Sequence, residues 1–348
     1  MSSVETSVQA PPDPSAAARH LFQIALGFIP AAALHVAARL DLAERLAAGP
    51  RTVADLAAEA GVGPDPLYRV LRALASVGIF AETAPRTFAS TPPADLLRKG
   101  EGSLGDGIQF MTDALHFQAY GDMLHTVQTG EPSAEKAVGM PLFDYLARTP
   151  EWSASFNNAM TAFSASVMPA VLEAYDFSGI TRLVDVAGGH GRVLSAVLQA
   201  YPAMQGVLFD VDHVIAGAAP LLAAAGVADR CRTEAGDFFT AVPAGGDAYI
   251  MKHIIHDWED DRARTILTNI RRAIAPVPGA RLILLEAVVS PANEPDMGKL
   301  IDLEMMLFPR GRERTADEFA TLFARGGFTL TRVVRTASML SVVEGTPA

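Results

Sequence analysis

Residues 183–198 read LVDVAGGHGRVLSAVL, an apolar run that passes through a glycine turn into an amphipathic segment. The same pattern recurs along the second half of the chain, where short β-rich runs alternate with helical segments: TRLVDVAGG, MQGVLFD, DAYIMKHI and ARLILLEAVV. This alternation predicts βαβ units around a mostly parallel sheet. FTLTRVVRT and SMLSVVEG near the end predict a C-terminal antiparallel hairpin. The fold class is therefore α/β, with a Rossmann-like sheet.

The glycine turn limits what the sheet can bind. Gly188, Gly189 and Gly191 predict a tight strand-to-helix turn where backbone can approach a ligand closely. A nicotinamide fingerprint needs G-x-G-x-x-G/A, but counting from Gly189 the third position is Leu194. Asp185 stands three residues before the glycines and suits an ammonium or sulfonium rather than a pyrophosphate. A purely structural turn is the alternative interpretation.

Acidic residues follow the next two strands. VLFD ends at Asp210, about 20 residues after the glycines, where a carboxylate can bind both ribose hydroxyls. Asp237 and Phe238 in TEAGDFF suit an adenine amino group with an aromatic ring beside it. Each acid alone could be a solvated loop residue. In this order, at the carboxyl ends of successive strands, they predict a pocket for S-adenosyl-L-methionine.

The segment KHIIHDWEDD, residues 252–261, packs two histidines and a lysine at the end of a strand. Asp257 is expected to be the N-cap of the next helix and Asp260 its capping-box partner. Strand alternation predicts a structural His253, on the face opposite Lys252. The H-x-x-H spacing is not that of a helical zinc site and no H-E-x-x-H occurs, so no metal is expected.

His256 is the candidate proton acceptor, because it lies on the loop that leaves the strand above the ligand crevice. A neutral imidazole can accept a proton from an acidic hydroxyl. Such a base needs an orienting carboxylate, and the sequence offers Glu286 at the end of a strand and Glu313 in RGRERT. A buried salt bridge is the alternative role for Glu286.

The chain of 348 residues is long enough for two domains. Residues 52–100 show a helix-turn-helix followed by a small hairpin, the pattern of a winged helix. We divide the chain into four segments: a disordered tail (1–19), a winged-helix dimerisation domain (20–100), a helical linker with substrate-pocket helices (101–175) and a cofactor-binding catalytic domain (176–348).

Composition excludes several classes of partner. The net charge of -11 argues against nucleic acid and anionic membranes, and the winged helix offers only Arg69 and Arg72 on its second helix. The single Cys231 excludes a disulfide framework and a cysteine-based zinc site. Residues 21–40 are apolar but interrupted by polar and helix-breaking residues, so we expect a buried or inter-subunit helix rather than a membrane span. No signal-peptide pattern opens the chain, and a cytoplasmic location is expected.

The ordered motifs resemble a known family. LVDVAGGHG, FD at 209–210, GDFF at 236–239, MKHIIHDWEDD, LLEAVV, MLFPRGRERTADEF and GGF at 326–328 are similar to those of class I S-adenosylmethionine-dependent O-methyltransferases. The resemblance is to the plant caffeate and isoflavone type, with its bacterial secondary-metabolite and hydroxyindole relatives. FNNAM at 156–160 and the N-terminal domain extend it over nearly the whole chain.

This resemblance implies roles for individual residues. His256 becomes the general base, flanked by Glu286 and Glu313. With the acids above, the cofactor set comprises Asp185, Gly188, Gly189, Gly191, Asp210, Asp237, Phe238, Lys252 and Ser164. The acceptor pocket is expected to comprise Phe156, Met160, Phe163, Met305, Met306 and Phe308, with simple core packing as the alternative for the first three.

The expected reaction is methyl transfer from S-adenosyl-L-methionine to a hydroxyl, of phenolic type, on a small aromatic secondary metabolite. The apolar N-terminal helix predicts an intertwined homodimer. The family often has a Gly-Gly pair where this chain has Arg310-Gly311-Arg312, so no member's acceptor carries over. Two alternatives stay open: the same fold and cofactor with N-methylation, hydroxylation or decarboxylation, and a ligand-sensing DNA-binding protein.

Overall fold

The structure, a computed structural model, describes residues 14–100, 102–274 and 276–348. The chain forms two compact units that meet in sequence at Lys99 and Gly100. The predicted boundary near residue 175 therefore lies inside the second unit. Residues 101–175 are not a linker, because Val167, Met168 and Val171 are buried in one core with the sheet.

The first unit is helical with a small sheet. Its elements are α1 (Pro14–Ala25), α2 (Phe28–Arg39), α3 (Leu42–Arg45), β1 (Arg51–Thr52), α4 (Val53–Ala60), α5 (Pro64–Ser76), β2 (Phe80–Ala84), β3 (Thr87–Ser90) and α6 (Pro92–Asp95). The antiparallel sheet has the order β1-β3-β2. Thr52 caps α4 by accepting from the Asp55 amide, and Gly61 ends it at φ 69°. The predicted helix-turn-helix with a hairpin is present.

The expected disordered tail needs correction. Residues 1–13 lie outside the described residues, but α1 begins at Pro14, so residues 14–19 are helical. A proline in the first turn followed by an alanine-rich run explains the early start. Ser15–Arg39 would be long and apolar enough for a membrane span by length and composition alone. Leu21 and Phe22 on this stretch are 68% and 67% exposed, which excludes the buried-helix alternative within this chain.

The second unit contains twelve α-helices and seven strands among its described residues. They are α7 (Gly105–Met111), α8 (Ala114–Gly121), α9 (Met123–Thr129), α10 (Ser133–Val138), α11 (Leu142–Arg148), α12 (Pro150–Ala174), β4 (Arg182–Val186), α13 (Arg192–Ala200), β5 (Gln205–Asp210), α14 (Asp212–Ile215), α15 (Ala219–Ala224), β6 (Cys231–Ala235), β7 (Ala248–Lys252), α16 (Asp260–Ala273), β8 (Arg281–Glu286), α17 (Met297–Leu307), α18 (Ala316–Gly326), β9 (Phe328–Arg335) and β10 (Ser341–Pro347).

The seven strands form one sheet in the order β6-β5-β4-β7-β8-β10-β9. The first five are parallel, and β10 runs antiparallel to both β8 and β9. The predicted parallel sheet with a terminal hairpin is confirmed. From β4 the chain builds outward first through β5 and then, on the other side, through β7. Open α/β sheets bind ligands at the carboxyl ends of the strands beside such a reversal.

Alternating strand residues supply the two cores of this unit. Leu183 and Ile250 face a cluster with α12 and α13, whereas Val184 and Met251 face a cluster with α16 and α18. Strands that are buried on both faces explain why the runs are apolar throughout. The sheet is thus a rigid support for the loops at its carboxyl edge.

Close packing of α18 on α16 should make Gly326 intolerant of a methyl group. A Cβ at Gly326 would lie 2.5 Å from Cβ of the buried Leu267, an atom that moves only with its helix. We expect Gly326→Ala to lower the free energy of unfolding by about 1–3 kcal/mol. Gly121 also ends a helix but has open space, so Gly121→Ala is the matched control and should be neutral or stabilising.

Urea unfolding followed by tryptophan fluorescence measures this difference. Both tryptophans, Trp152 and Trp258, lie in the second unit and therefore report on it alone. Equal unfolding midpoints for the two variants would contradict the packing argument.

Candidate active site

A cavity of about 410 Å³ opens at the carboxyl ends of β4, β5, β6 and β7. Eight of the nine predicted cofactor residues line it: Ser164, Asp185, Gly188, Gly189, Asp210, Asp237, Phe238 and Lys252. Gly191 does not line the cavity. It is the N-cap of α13 at φ 85°, so its glycine serves the turn itself.

Gly188 and Gly189 hold the turn between β4 and α13 against the end of β5. A Cβ at Gly188 would lie 2.6 Å from an Asp185 oxygen and 2.5 Å from Leu208, so only glycine fits there. The Gly189 amide donates to Asp210 Oδ2 at 2.8 Å. Asp210 therefore fixes the glycine turn and still faces the cavity.

Asp185, which is buried, and Lys252, which is half-buried, are ionisable residues in the lining of this cavity. Burial raises the pKa of Asp185 to about 7, and its Oδ2 has no hydrogen-bond partner among the described residues. Burial lowers the pKa of Lys252 to about 8, against the opposing effect of Glu286 and Asp185. A buried carboxylate oxygen without a partner fits a cationic ligand group.

His256 lies just behind the cavity wall on a 3-10 turn, Ile255–Asp257, that follows β7. Its side chain is buried and does not line the cavity, whereas Asp257 does. His256 Nδ1 is 2.7 Å from Glu313 Oε1 and 3.8 Å from Glu286 Oε2. Its Nε2 is 3.5 Å from Asp257 Oδ1. The structure thus brings together the three residues predicted to be catalytic.

Glu313 and Glu286 contact different parts of the segment that carries His256. Glu313 bonds the His256 ring, whereas Glu286 Oε1 accepts from the amides of Ile254 and Ile255 at 3.2 and 2.9 Å. Glu286 is fully buried, and its Oε2 has no hydrogen-bond partner in the described parts of the chain. It therefore fixes the backbone before His256 and adds negative charge beside the ring.

These carboxylates control the charge of His256. Burial alone would lower its pKa, but the negative charges of Glu313, Glu286 and Asp257 raise it to about 10. Burial also raises the pKa of Glu286 to about 7 and that of Asp257 to about 6. The imidazole and its carboxylates therefore form a buried unit that strongly favours a proton on His256.

Two expectations about this segment are wrong. His253 does not lie on the opposite face: it lines the cavity, and its Nδ1 is 3.3 Å from that of His256. Its φ of 53° ends the strand geometry, so alternation no longer applies. Asp257 is not an N-cap, because α16 begins at Asp260 after Glu259 and has no side-chain cap.

The predicted acceptor residues divide. Phe156 and Met160 line the cavity, whereas Phe163, Met305, Met306 and Phe308 do not. Phe163 packs so closely on Gly107 that a Cβ there would lie 2.4 Å from its ring. Phe308 packs on the His116 ring at 4.6 Å, and Met306 packs on the same cluster. Met305 is buried beside the Gly311 turn, whose amide donates to its carbonyl at 3.0 Å.

Several aromatic residues in the cavity wall received no role from the sequence, among them Phe143 and Trp258. Phe143 and Trp258 stack there with ring centroids 5.0 Å apart and planes at 21°. Trp258 belongs to the H-D-W motif, which was a usable signal. Phe143 stands on a short helix far away in sequence, and no motif marks it.

A metal ion has one candidate site within the described ranges. One atom each from His253, His256 and Glu313 lie within 4.8 Å of one another. Histidine nitrogens and a carboxylate oxygen are suitable ligands for zinc. The expectation that the protein uses no metal stays a prediction.

The electrostatics of the site can be tested by NMR titration of the histidines. We expect His256 to titrate near pH 10 and Glu313→Gln to lower its pKa, because the variant removes a negative charge beside the imidazolium. His116 is the internal control: burial opposes its charge, but Asp113 and Glu304 raise its pKa to about 9. It should not respond to the substitution. A His256 pKa at or below the usual value of about 6.5 in the wild type would contradict this account.

Comparison with known proteins identifies the family. The model of the O-methyltransferase domain matches residues 120–329, and that of the O-methyltransferase dimerisation domain matches residues 22–100. The chain is 45% identical to phenazine O-methyltransferase PhzM of Lysobacter antibioticus, over 94% of this chain and 95% of that protein. It is 36% identical to 8-amino-8-demethylriboflavin N,N-dimethyltransferase of Streptomyces davaonensis, over 94% of this chain and 95% of that protein.

Solved structures agree with this result. The crystal structure of LaPhzM has a TM-score of 0.91 and 44% identity, covering 95% of this chain and 99% of that one. Structures of relatives hold S-adenosylmethionine or S-adenosylhomocysteine. This chain is therefore an S-adenosylmethionine-dependent methyltransferase of the O-methyltransferase family, with that family's N-terminal dimerisation domain.

Proposed function

We propose that the protein methylates a hydroxyl, of phenolic type, on a small aromatic secondary metabolite, with His256 as the general base. The observation that carries the proposal is the buried pair of His256 Nδ1 and Glu313 Oε1, 2.7 Å apart behind the cavity wall. A hydroxyl must lose its proton as it is methylated, and this pair is built to receive one.

The cavity residues fit S-adenosylmethionine. When bound, the cofactor supplies an electrophilic methyl group on a sulfonium. The Gly188 backbone would leave room for its methionine part, and the unpartnered Asp185 oxygen would favour its positive charge. Asp210 would bind the ribose, and Asp237 with Phe238 the adenine. Ser164, which donates to the Met160 carbonyl, and Lys252 complete the lining.

Part of the remaining lining is apolar and aromatic. Phe143, Phe156, Met160 and Trp258 form this part of the cavity wall. Flat aromatic rings pack well against such side chains, because offset and edge-on ring contacts are both favourable. The naphthoate and phenazine named for relatives are aromatic molecules of this kind, and they support an aromatic acceptor.

The proton follows a short path. With Nδ1 donating to Glu313, a neutral His256 carries its lone pair on Nε2 and can accept the proton of a phenol, whose pKa is about 10. The imidazolium that forms is stabilised by Glu313 and Glu286. The positioned base should contribute about 10²- to 10⁴-fold, and orientation of the oxygen supplies much of the remainder.

N-methylation is the second candidate, because one relative is named an N,N-dimethyltransferase and another a phenazine-1-carboxylate N-methyltransferase. An aromatic amine attacks through its lone pair and loses its proton afterwards. It therefore depends less than a hydroxyl does on a histidine base that is hydrogen-bonded to a carboxylate. The buried His256–Glu313 pair therefore favours oxygen.

A homodimer and a cytoplasmic location belong to the same proposal. The matched dimerisation domain and the exposed apolar residues Leu21, Phe22 and Ile24 support an inter-subunit role for α1. We expect no nucleic-acid, membrane or metal partner.

His256→Ala tests the proposal directly. With labelled S-adenosylmethionine and a panel of phenols, we expect the rate of methyl transfer to fall by about 10²- to 10⁴-fold. Cofactor affinity, measured by calorimetry, should stay near the wild-type value, because His256 does not line the cavity. A dinitrophenol, which is already ionised at neutral pH, needs no base and should lose much less rate.

Each phenol in that panel is paired with the amine analogue of the same ring. Faster transfer to the hydroxyl member supports O-methylation. A variant as fast as the wild type on ordinary phenols would show that His256 is not the base.

The pH dependence of the rate provides an independent check. The wild-type rate should rise with pH as His256 loses the proton that Glu313, Glu286 and Asp257 hold on it against the effect of burial. Glu313→Gln should shift this rise to lower pH, because the pKa of His256 falls, and should lower the plateau, because the imidazolium is less stabilised. A rise at unchanged pH in the variant would contradict the assignment.

A further inference from the structure

Arg314, the middle residue of the E-R-T motif, has no role in the reaction described so far. We propose that Arg314 is the positioning residue that holds His256 against its two glutamates. The inference rests on the proposed function, since it concerns the geometry of the proposed base.

The Arg314 guanidinium is hydrogen-bonded to the backbone on both sides of His256. It is 1% exposed, and it donates to the Ile255 carbonyl at 3.1 Å and to the Trp258 carbonyl at 2.9 Å. Ile255 precedes His256 by one residue and Trp258 follows it by two. One side chain therefore fixes both ends of the turn that carries the base.

The Arg314 backbone is hydrogen-bonded to the segment that follows β8, the strand that ends at Glu286. The Val289 amide donates to the Arg314 carbonyl at 3.0 Å, just after the strand that ends at Glu286. Glu313, the preceding residue, bonds the His256 ring. Arg314 thus contacts or adjoins each of the three segments that supply the catalytic residues.

The backbone just before Arg314 also packs directly on the backbone of His256. The Arg312 amide donates to the His256 carbonyl at 2.7 Å. A Cβ at Gly311 would lie 1.8 Å from that carbonyl oxygen, so the two loops touch without an intervening side chain. A change at Arg314 should therefore move His256 directly.

The bonds of Arg314 call for arginine and not merely for a positive charge. Its only carboxylate acceptor in the described structure is Asp260, at 2.8 Å; the others are carbonyls. A guanidinium presents five N–H groups in a fixed plane, whereas an ammonium is a compact point charge. Lysine at this position would keep the positive charge but lose the planar set of N–H donors that reaches several carbonyls at once.

The experiment compares Arg314→Ala, Arg314→Lys and a matched control, Arg325→Ala. Arg325 also forms ion pairs with the acids at the start of α16, at 2.8 Å from Asp261 and 3.7 Å from Asp260. Unlike Arg314, it has no hydrogen bond to the turn that carries His256 among the described residues. A displacement of the base by about 1 Å is expected to cost roughly 10²-fold in kcat. We expect this loss in both Arg314 variants, with cofactor affinity retained, and no comparable loss in the control.

Two further readouts separate positioning from general stability. Added guanidinium should restore activity to Arg314→Ala, because it can refill the vacated site. The proton shared by His256 and Glu313 should give a far-downfield NMR signal in the wild type and in Arg325→Ala, and should lose it in both Arg314 variants. This signal requires no turnover and remains informative if the proposed function fails.

The outcomes decide the proposal. Loss of kcat and of the downfield proton with retained cofactor affinity, together with guanidinium rescue, supports it. Retention of the proton and of kcat overturns it. A parallel fall of kcat and cofactor affinity without rescue also overturns it, because Arg314 would then only stabilise the fold. Equal activity of His256→Ala and wild type would instead overturn the proposed base.

Discussion

The buried hydrogen bond between His256 and Glu313 is the interaction on which the site depends. Burying an imidazole and a carboxylate is costly unless each finds a close partner, and the 2.7 Å contact supplies it. To make this contact, the segment around Glu313 must lie directly on the turn after β7. The bare backbone of Gly311 permits that approach, and Glu286 braces the turn from the next strand.

Much of this arrangement could be predicted from local sequence signals. The alternation of short apolar runs with helical segments predicted the parallel sheet, because both periodicities are local properties of the chain. The glycine turn, Asp210 and Asp237 followed from where strands end in an open sheet. His256, Glu286 and Glu313 stood out as polar residues in motifs at or beyond strand ends, and the structure brings them together.

Other features depend on tertiary contacts or on single backbone angles. The positive φ of His253 turns its side chain into the cavity, and nothing in the strand pattern predicts it. Asp257 looked like a helix cap, but α16 starts three residues later, and the half-buried Asp257 lies beside His256 in the cavity wall. Phe308 packs on His116, from a helix far away in sequence, and so leaves the cavity wall. Motif matching placed it by sequence position alone.

The most direct test is the structure of this protein with S-adenosylhomocysteine and an aromatic acceptor that it methylates. We expect the acceptor hydroxyl within hydrogen-bond distance of His256 Nε2, with Nδ1 still bonded to Glu313. An acceptor hydroxyl bound instead by Lys252 or His253, with His256 remaining behind the wall, would contradict it.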